Sequence, residues 1–157
     1  MAADLAALAA ILDGQHKYDE SEPLYQRALA IFERAYGPEH YEIAINLNNL
    51  AALTQARGGH AKAEQLYRRA LAIKEKLLGS DHPDVAMTLN NLAVLAKAQG
   101  KLGEAAQLYS RALTTFERAL EPHNPRVVTC RANYARLLEQ QARKRTPANV
   151  CATELDQ

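Results

Sequence analysis

Asparagine is the residue type whose placement in this chain most directly suggests chemistry. Two consecutive pairs, Asn48-Asn49 and Asn90-Asn91, stand 42 residues apart, and Asn133 follows Asn91 at the same interval. An asparagine amide offers both a donor and an acceptor, so it can pair with a peptide group of an extended ligand. Asparagine is a mediocre residue inside helices because it competes with the backbone for hydrogen bonds, so its repeated use there needs a reason. The other reactive side chains are less organised. His40 and His82 share one slot of the 42-residue interval and shape a turn there, while His16, His60 and His123 lack ligand spacing. Cys130 lies in a helical pattern far from Cys151, as a buried thiol would. The chain has no phosphate-binding glycine loop, no nucleophile elbow and no zinc spacing. The expectation is a non-catalytic protein with neither metal nor cofactor.

The interval that relates the asparagines governs the chain as a whole. Tyr25, Tyr67 and Tyr109 recur every 42 residues, as do Leu24, Leu66 and Leu108, and Arg27, Arg69 and Arg111. Ala28-Leu29 matches Ala70-Leu71 and Ala112-Leu113, and Glu33 matches Glu75 and Glu117. Ala51, Ala93 and Ala135 coincide, and so do Leu53, Leu95 and Leu137. Each copy holds two segments with apolar residues three and four apart, the spacing that lines one helix face. No segment alternates as a strand would, so the expected fold is all-α.

Helix-ending residues fall between these segments. Gly58-Gly59 and Gly100 suit the left-handed backbone that closes a helix. Pro83 and Pro125 suit first helical positions, Asn124 is a candidate cap, and Asp84 complements the positive end of its helix. The pattern predicts helices near residues 2–13, 18–36, 41–57, 61–78, 83–99, 103–119 and 125–142. They form repeats near 1–36, 41–78 and 83–119 and a capping helix at 125–142, with a tail over 143–157. Arg143-Lys144-Arg145 suits the negative end of the last helix.

These residues resemble the tetratricopeptide repeat, in which helix pairs stack into a right-handed superhelical solenoid. The resemblance rests on Leu50-Ala51 and Leu92-Ala93 in the first helix of the pair. In the second helix it rests on Ala63 and Ala105, with Ser21 in the first copy, and on Tyr25/Ala28, Tyr67/Ala70 and Tyr109/Ala112. The signature tryptophan is absent, and Thr54, Ala96 and Leu138 stand where the usual first-helix tyrosine would be. The period exceeds the usual 34 residues by about two helical turns. Leu47-Asn-Asn-Leu-Ala51, Leu89-Asn-Asn-Leu-Ala93 and the Gly79-Ser-Asp-His-Pro83 junction are similar to the long repeats of kinesin light chain. The resemblance covers residues 2–142 and implies a fold, not a role in motor transport.

In such a solenoid the first helices would line a concave groove. Its expected contact residues are Asn48, Asn49, Gln55, Asn90, Asn91, Lys97, Asn133 and Arg136. The Asn49/Asn91/Asn133 column could equally bridge neighbouring helices. Four adjacent helices span roughly 30 Å, room for about nine residues of extended chain. Lys97 and Arg136 tilt the groove towards an acidic segment, against Asp13 and Glu139. The expected function is a scaffold or adaptor that binds a linear peptide there. The alternative is a self-assembling module, or part of a longer array, because the Ala-Leu face of the first helix has no preceding repeat to cover it.

Composition is consistent with this reading. The chain is 48% hydrophobic and 24% charged with a net charge of +1, which gives no reason to expect nucleic acid. No apolar run approaches a membrane span, and the opening Ala-Leu stretch, broken by Asp4 and Asp13, is expected to be helix rather than a signal peptide. Two cysteines without a dense framework fit a reducing, cytoplasmic setting.

Overall fold

The structure, a computed structural model, describes residues 1–145. Seven helices run antiparallel in sequence: α1 (Ala2–Gly14), α2 (Tyr18–Tyr36), α3 (Tyr41–Ala56), α4 (His60–Leu78), α5 (Pro83–Ala98), α6 (Leu102–Ala119) and α7 (Pro125–Arg145). No strand occurs among the described residues. The fold is the all-α solenoid that the repeat predicts.

The caps use the residues at the junctions. Nδ1 of His40 and of His82 accepts the backbone N–H of Glu42 and of Asp84, at 3.3 and 3.1 Å. Each imidazole thus does at an N-cap what Ser or Asp usually does. Asn124 caps α7 through Arg126 N–H at 3.0 Å. Gly58 and Gly100 end α3 and α5 with φ of 83° and 76°. The last member of that column is Ala142, which does not readily adopt positive φ. Helix α7 therefore runs three residues past its expected end at 142 and takes in the basic residues at 143–145, the first part of the expected tail. The rest of that tail, 146–157, lies outside the described residues.

Two kinds of helix alternate. Second helices α2, α4 and α6 bury one stripe: Ser21, Tyr25, Ala28 and Phe32 in α2, and Ala63, Tyr67, Ala70 and Ile73 in α4. First helices α3 and α5 sit between two second helices and are buried over most of their circumference. Alanines at 0% exposure (Ala44, Ala51, Ala86 and Ala93 among them) allow this close approach. Helices α1, α3, α5 and α7 also touch one another in series, whereas α2, α4 and α6 do not. The stack therefore curves with the first helices inside. On the outer side long ion pairs bridge the splayed second helices: Arg69–Glu33 at 2.6 Å and Arg111–Glu75.

Candidate functional site along the first helices

Enclosure on two sides leaves α3 and α5 only a narrow free strip, and this decides which of their expected contact residues reach the groove. Asn49, Gln55, Asn90, Asn91, Lys97 and Asn133 are half-buried and Arg136 is exposed. Asn48 is the exception. It is 7% exposed, and its Oδ1 accepts from Asn91 Nδ2 at 3.3 Å, with the Thr88 hydroxyl 3.4 Å away. The expectation that Asn48 faces a ligand is therefore corrected: its amide ties α3 to α5. Asn91 takes the bridging role that the sequence left open. Gln55 is also partly engaged, accepting from Tyr67 Oη at 3.4 Å.

One repeat later the same bridge is not made. Asn90 occupies the slot of Asn48, and Asn133 that of Asn91, yet Asn90 Oδ1 is shielded and has no hydrogen-bond partner. Asn90 lines a cleft of about 240 Å³ between α5 and α7, together with Met87, Phe116, Pro125, Arg126 and Thr129. The cleft thus combines apolar walls, one unused amide oxygen and a half-exposed guanidinium. A larger hollow of about 360 Å³ lies at the α1–α2 turn, lined by His16, Tyr18, Asp19 and Arg57 among others. There Arg57 already pairs with Asp19 at 2.8 Å.

Beside the cleft runs a polar network that the sequence reading missed. Lys74 of α4 is 1% exposed, and its Nζ donates to Thr88 Oγ1 at 3.0 Å and to the Asp84 carbonyl at 3.4 Å. Burial pulls its pKa below the usual lysine range. The Asp84 carboxylate opposes that shift and Arg126 adds to it. The same carboxylate accepts from Tyr41 Oη and lies 3.7 Å from Arg126. That hydrogen bond, followed by burial, pushes the Tyr41 pKa up to about 12. Residues of α3, α4, α5 and α7 are joined in this way. A signal was present: Lys74 interrupts a column otherwise occupied by Phe32 and Phe116. The described residues contain no cluster of three His, Cys, Asp or Glu side chains able to hold a metal. None of their helices is long and apolar enough to cross a membrane.

Solved structures share this architecture. The nearly identical TPR-like repeats of a kinesin light chain candidate from Podosopora anserina align with a TM-score of 0.80 at 23% identity, covering 90% of this chain and 67% of that one. BtubC (BKLC) from P. vanneervenii aligns with a TM-score of 0.73 at 21% identity over 99% of this chain and 70% of its own. The first TPR of Spaghetti (RPAP3), solved bound to the HSP90 peptide SRMEEVD, gives 0.65 at 20% identity over 90% and 93%. At these identities the likeness shows fold alone. Among curated proteins none matches in sequence. The tetratricopeptide repeat family pattern itself matches residues 1–76, 42–117 and 84–146. With that coverage, and with helix pairs stacked at the period of the matches, the chain belongs to the tetratricopeptide repeat family.

Proposed function

We propose that this protein is a non-catalytic scaffold that binds an extended peptide segment along its first helices, with the α5–α7 cleft as its anchor. Asn90 carries the reading. A buried amide oxygen without a donor costs about 1–3 kcal/mol, and a turn of the Asn90 side chain on binding would present that oxygen to a peptide N–H in the cleft. The apolar walls at Met87, Phe116 and Pro125 suit a hydrophobic side chain of the same peptide. Arg126 at the mouth, with Lys97 and Arg136 farther along the groove, favours an acidic residue next to it. A domain of this fold, the first TPR of Spaghetti (RPAP3), is solved bound to the peptide SRMEEVD, which supports a peptide ligand here.

The test is titration of a library of acidic, extended peptides against the wild-type chain and two variants, Asn90→Ala and Arg126→Ala. Arg126→Ala should weaken binding tenfold or more and Asn90→Ala up to about tenfold, because a net hydrogen bond contributes about 1.5–3 kcal/mol with a charged partner and about 0.5–1.5 kcal/mol otherwise. Asn48→Ala should act on stability instead. Equal affinity for wild type and both cleft variants would remove the cleft from the binding surface.

A further inference from the structure

The α5–α7 cleft asks three things of an occupant. Its walls at Met87, Phe116 and Pro125 suit an apolar side chain. Asn90 can accept a backbone N–H once its amide turns outward. Arg126 lies at the mouth with its side chain 50% exposed, and its contact with Asp84 is long, at 3.7 Å. A guanidinium has five N–H donors, so Arg126 keeps donors for a second carboxylate.

The sequence after α7 offers all three. Residues 146–157 read Thr-Pro-Ala-Asn-Val-Cys-Ala-Thr-Glu-Leu-Asp-Gln, and their only charges are two carboxylates on either side of a leucine, at Glu154-Leu155-Asp156. The reach also fits. Arg126 stands in the first turn of α7 and Arg145 is its last residue, a separation of about 29 Å at about 1.5 Å per residue. A chain that reversed at Pro147, a residue that does not continue a helix, and then ran extended would cover about 26 Å by Leu155 at about 3.3 Å per residue. The long side chain of Arg126 spans the few ångströms that remain. Such a path passes Arg136 and Asn133, residues of the first-helix groove.

We infer that Glu154-Leu155-Asp156 is an internal ligand of the α5–α7 cleft. The segment after α7 turns back along the groove, Leu155 enters between Met87, Phe116 and Pro125, and the flanking carboxylates face Arg126. This rests on the reading of the cleft as a peptide site and adds its regulation: a partner peptide must displace the chain's own segment. A short tether gives an effective concentration of about 1 mM, so a segment of about 100 µM affinity would fill the cleft in about nine molecules of ten.

The test places a nitroxide on Cys151 of the full chain. Cys130 is 1% exposed and burial pushes its thiol pKa up to about 11, so the label goes to Cys151. Paramagnetic broadening is expected at the amide signals of Met87 and Asn90 in α5 and Thr129 in α7, and it should not change on dilution. A Glu154→Lys/Leu155→Lys/Asp156→Lys variant should lose it. Deleting residues 148–150 keeps the Glu-Leu-Asp sequence but withdraws it by about 10 Å, and should lose it too. In a second arm, a fluorescent peptide with the sequence of residues 146–157 should bind the lysine variant about tenfold more tightly than the wild type, whose own segment competes. Three results would overturn the inference: no broadening at Met87 and Asn90, broadening confined to the exposed Val128 and Leu138 of α7, or broadening that fades on dilution, as a second copy's segment would give. Acidic library peptides that bind wild type and lysine variant equally, yet weaken with Arg126→Ala, would also overturn it while leaving the cleft a peptide site. Library binding indifferent to Arg126→Ala and Asn90→Ala would remove both readings.

Discussion

Lys74 is the position where changing one residue discriminates most sharply between physical accounts of this fold. Its ammonium group is almost fully enclosed, and its two hydrogen bonds, at 3.0 and 3.4 Å, serve only two of its three protons. Replacing it by methionine keeps the length of the side chain and removes the charge. The loss is two hydrogen bonds from a charged donor, about 1.5–3 kcal/mol each at good geometry and less at 3.4 Å. The gain is release from a desolvation penalty of several kcal/mol for a buried ion. Asp84 keeps Tyr41 and Arg126, and Thr88 still donates to the Asp84 carbonyl at 3.2 Å, so no buried group is newly orphaned. Lys74→Met should therefore stabilise the chain by about 1 kcal/mol, the low end of what replacing buried ions yields. A pH signature accompanies this. With its pKa lowered in the fold, Lys74 binds fewer protons there than in the unfolded chain. The wild-type stability should thus rise with pH from that lowered value up to the unfolded lysine pKa of about 10.4. The methionine variant should lose this rise. Urea unfolding followed by circular dichroism at several pH values between about 7 and about 10 measures both. A variant that is less stable than wild type at neutral pH, yet keeps the same rise, would refute the reasoning.

Two further outcomes follow from the repeat columns. Tyr67 is 2% exposed among Ala51, Ala63, Leu92 and Leu95, so Tyr67→Ala should cost about 3–5 kcal/mol of unfolding free energy in a urea titration. His16 stands in the column of Gly58 and Gly100 and has φ of 60°, a conformation that costs a non-glycine residue about 1–2 kcal/mol. His16→Gly should therefore raise the thermal midpoint, with a net gain of about 0.5 kcal/mol once glycine's greater unfolded-state freedom is deducted.

The repeat was legible because it is written in side chains that only packing explains. Tyr25, Tyr67 and Tyr109 fill equivalent clusters, and the helix ends lie within two residues of expectation except at α7. At α7 the slot filled by His16, Gly58 and Gly100 holds Ala142, which does not readily adopt the positive φ those three have. The groove was less legible, for a geometric reason. Periodicity identifies which residues share a helix face, but it does not say how many neighbours that helix has. A first helix with second helices on both sides has little free surface, and one step along it separates buried Asn48 from half-buried Asn49. Identity between copies also misled, since Asn48 and Asn90 share a slot but not a partner. Asn90 differs because Asn133 does not reach back to it as Asn91 reaches Asn48. Lys74 shows the converse. The position that departs from its column, where Phe32 and Phe116 lead a reader to expect a third phenylalanine, is the one that organises the polar interior beside the cleft. In a repeat protein the matching residues therefore report the architecture. The departures, in residue type at Lys74 and in hydrogen-bond partner at Asn90, mark where one copy differs chemically from its neighbours.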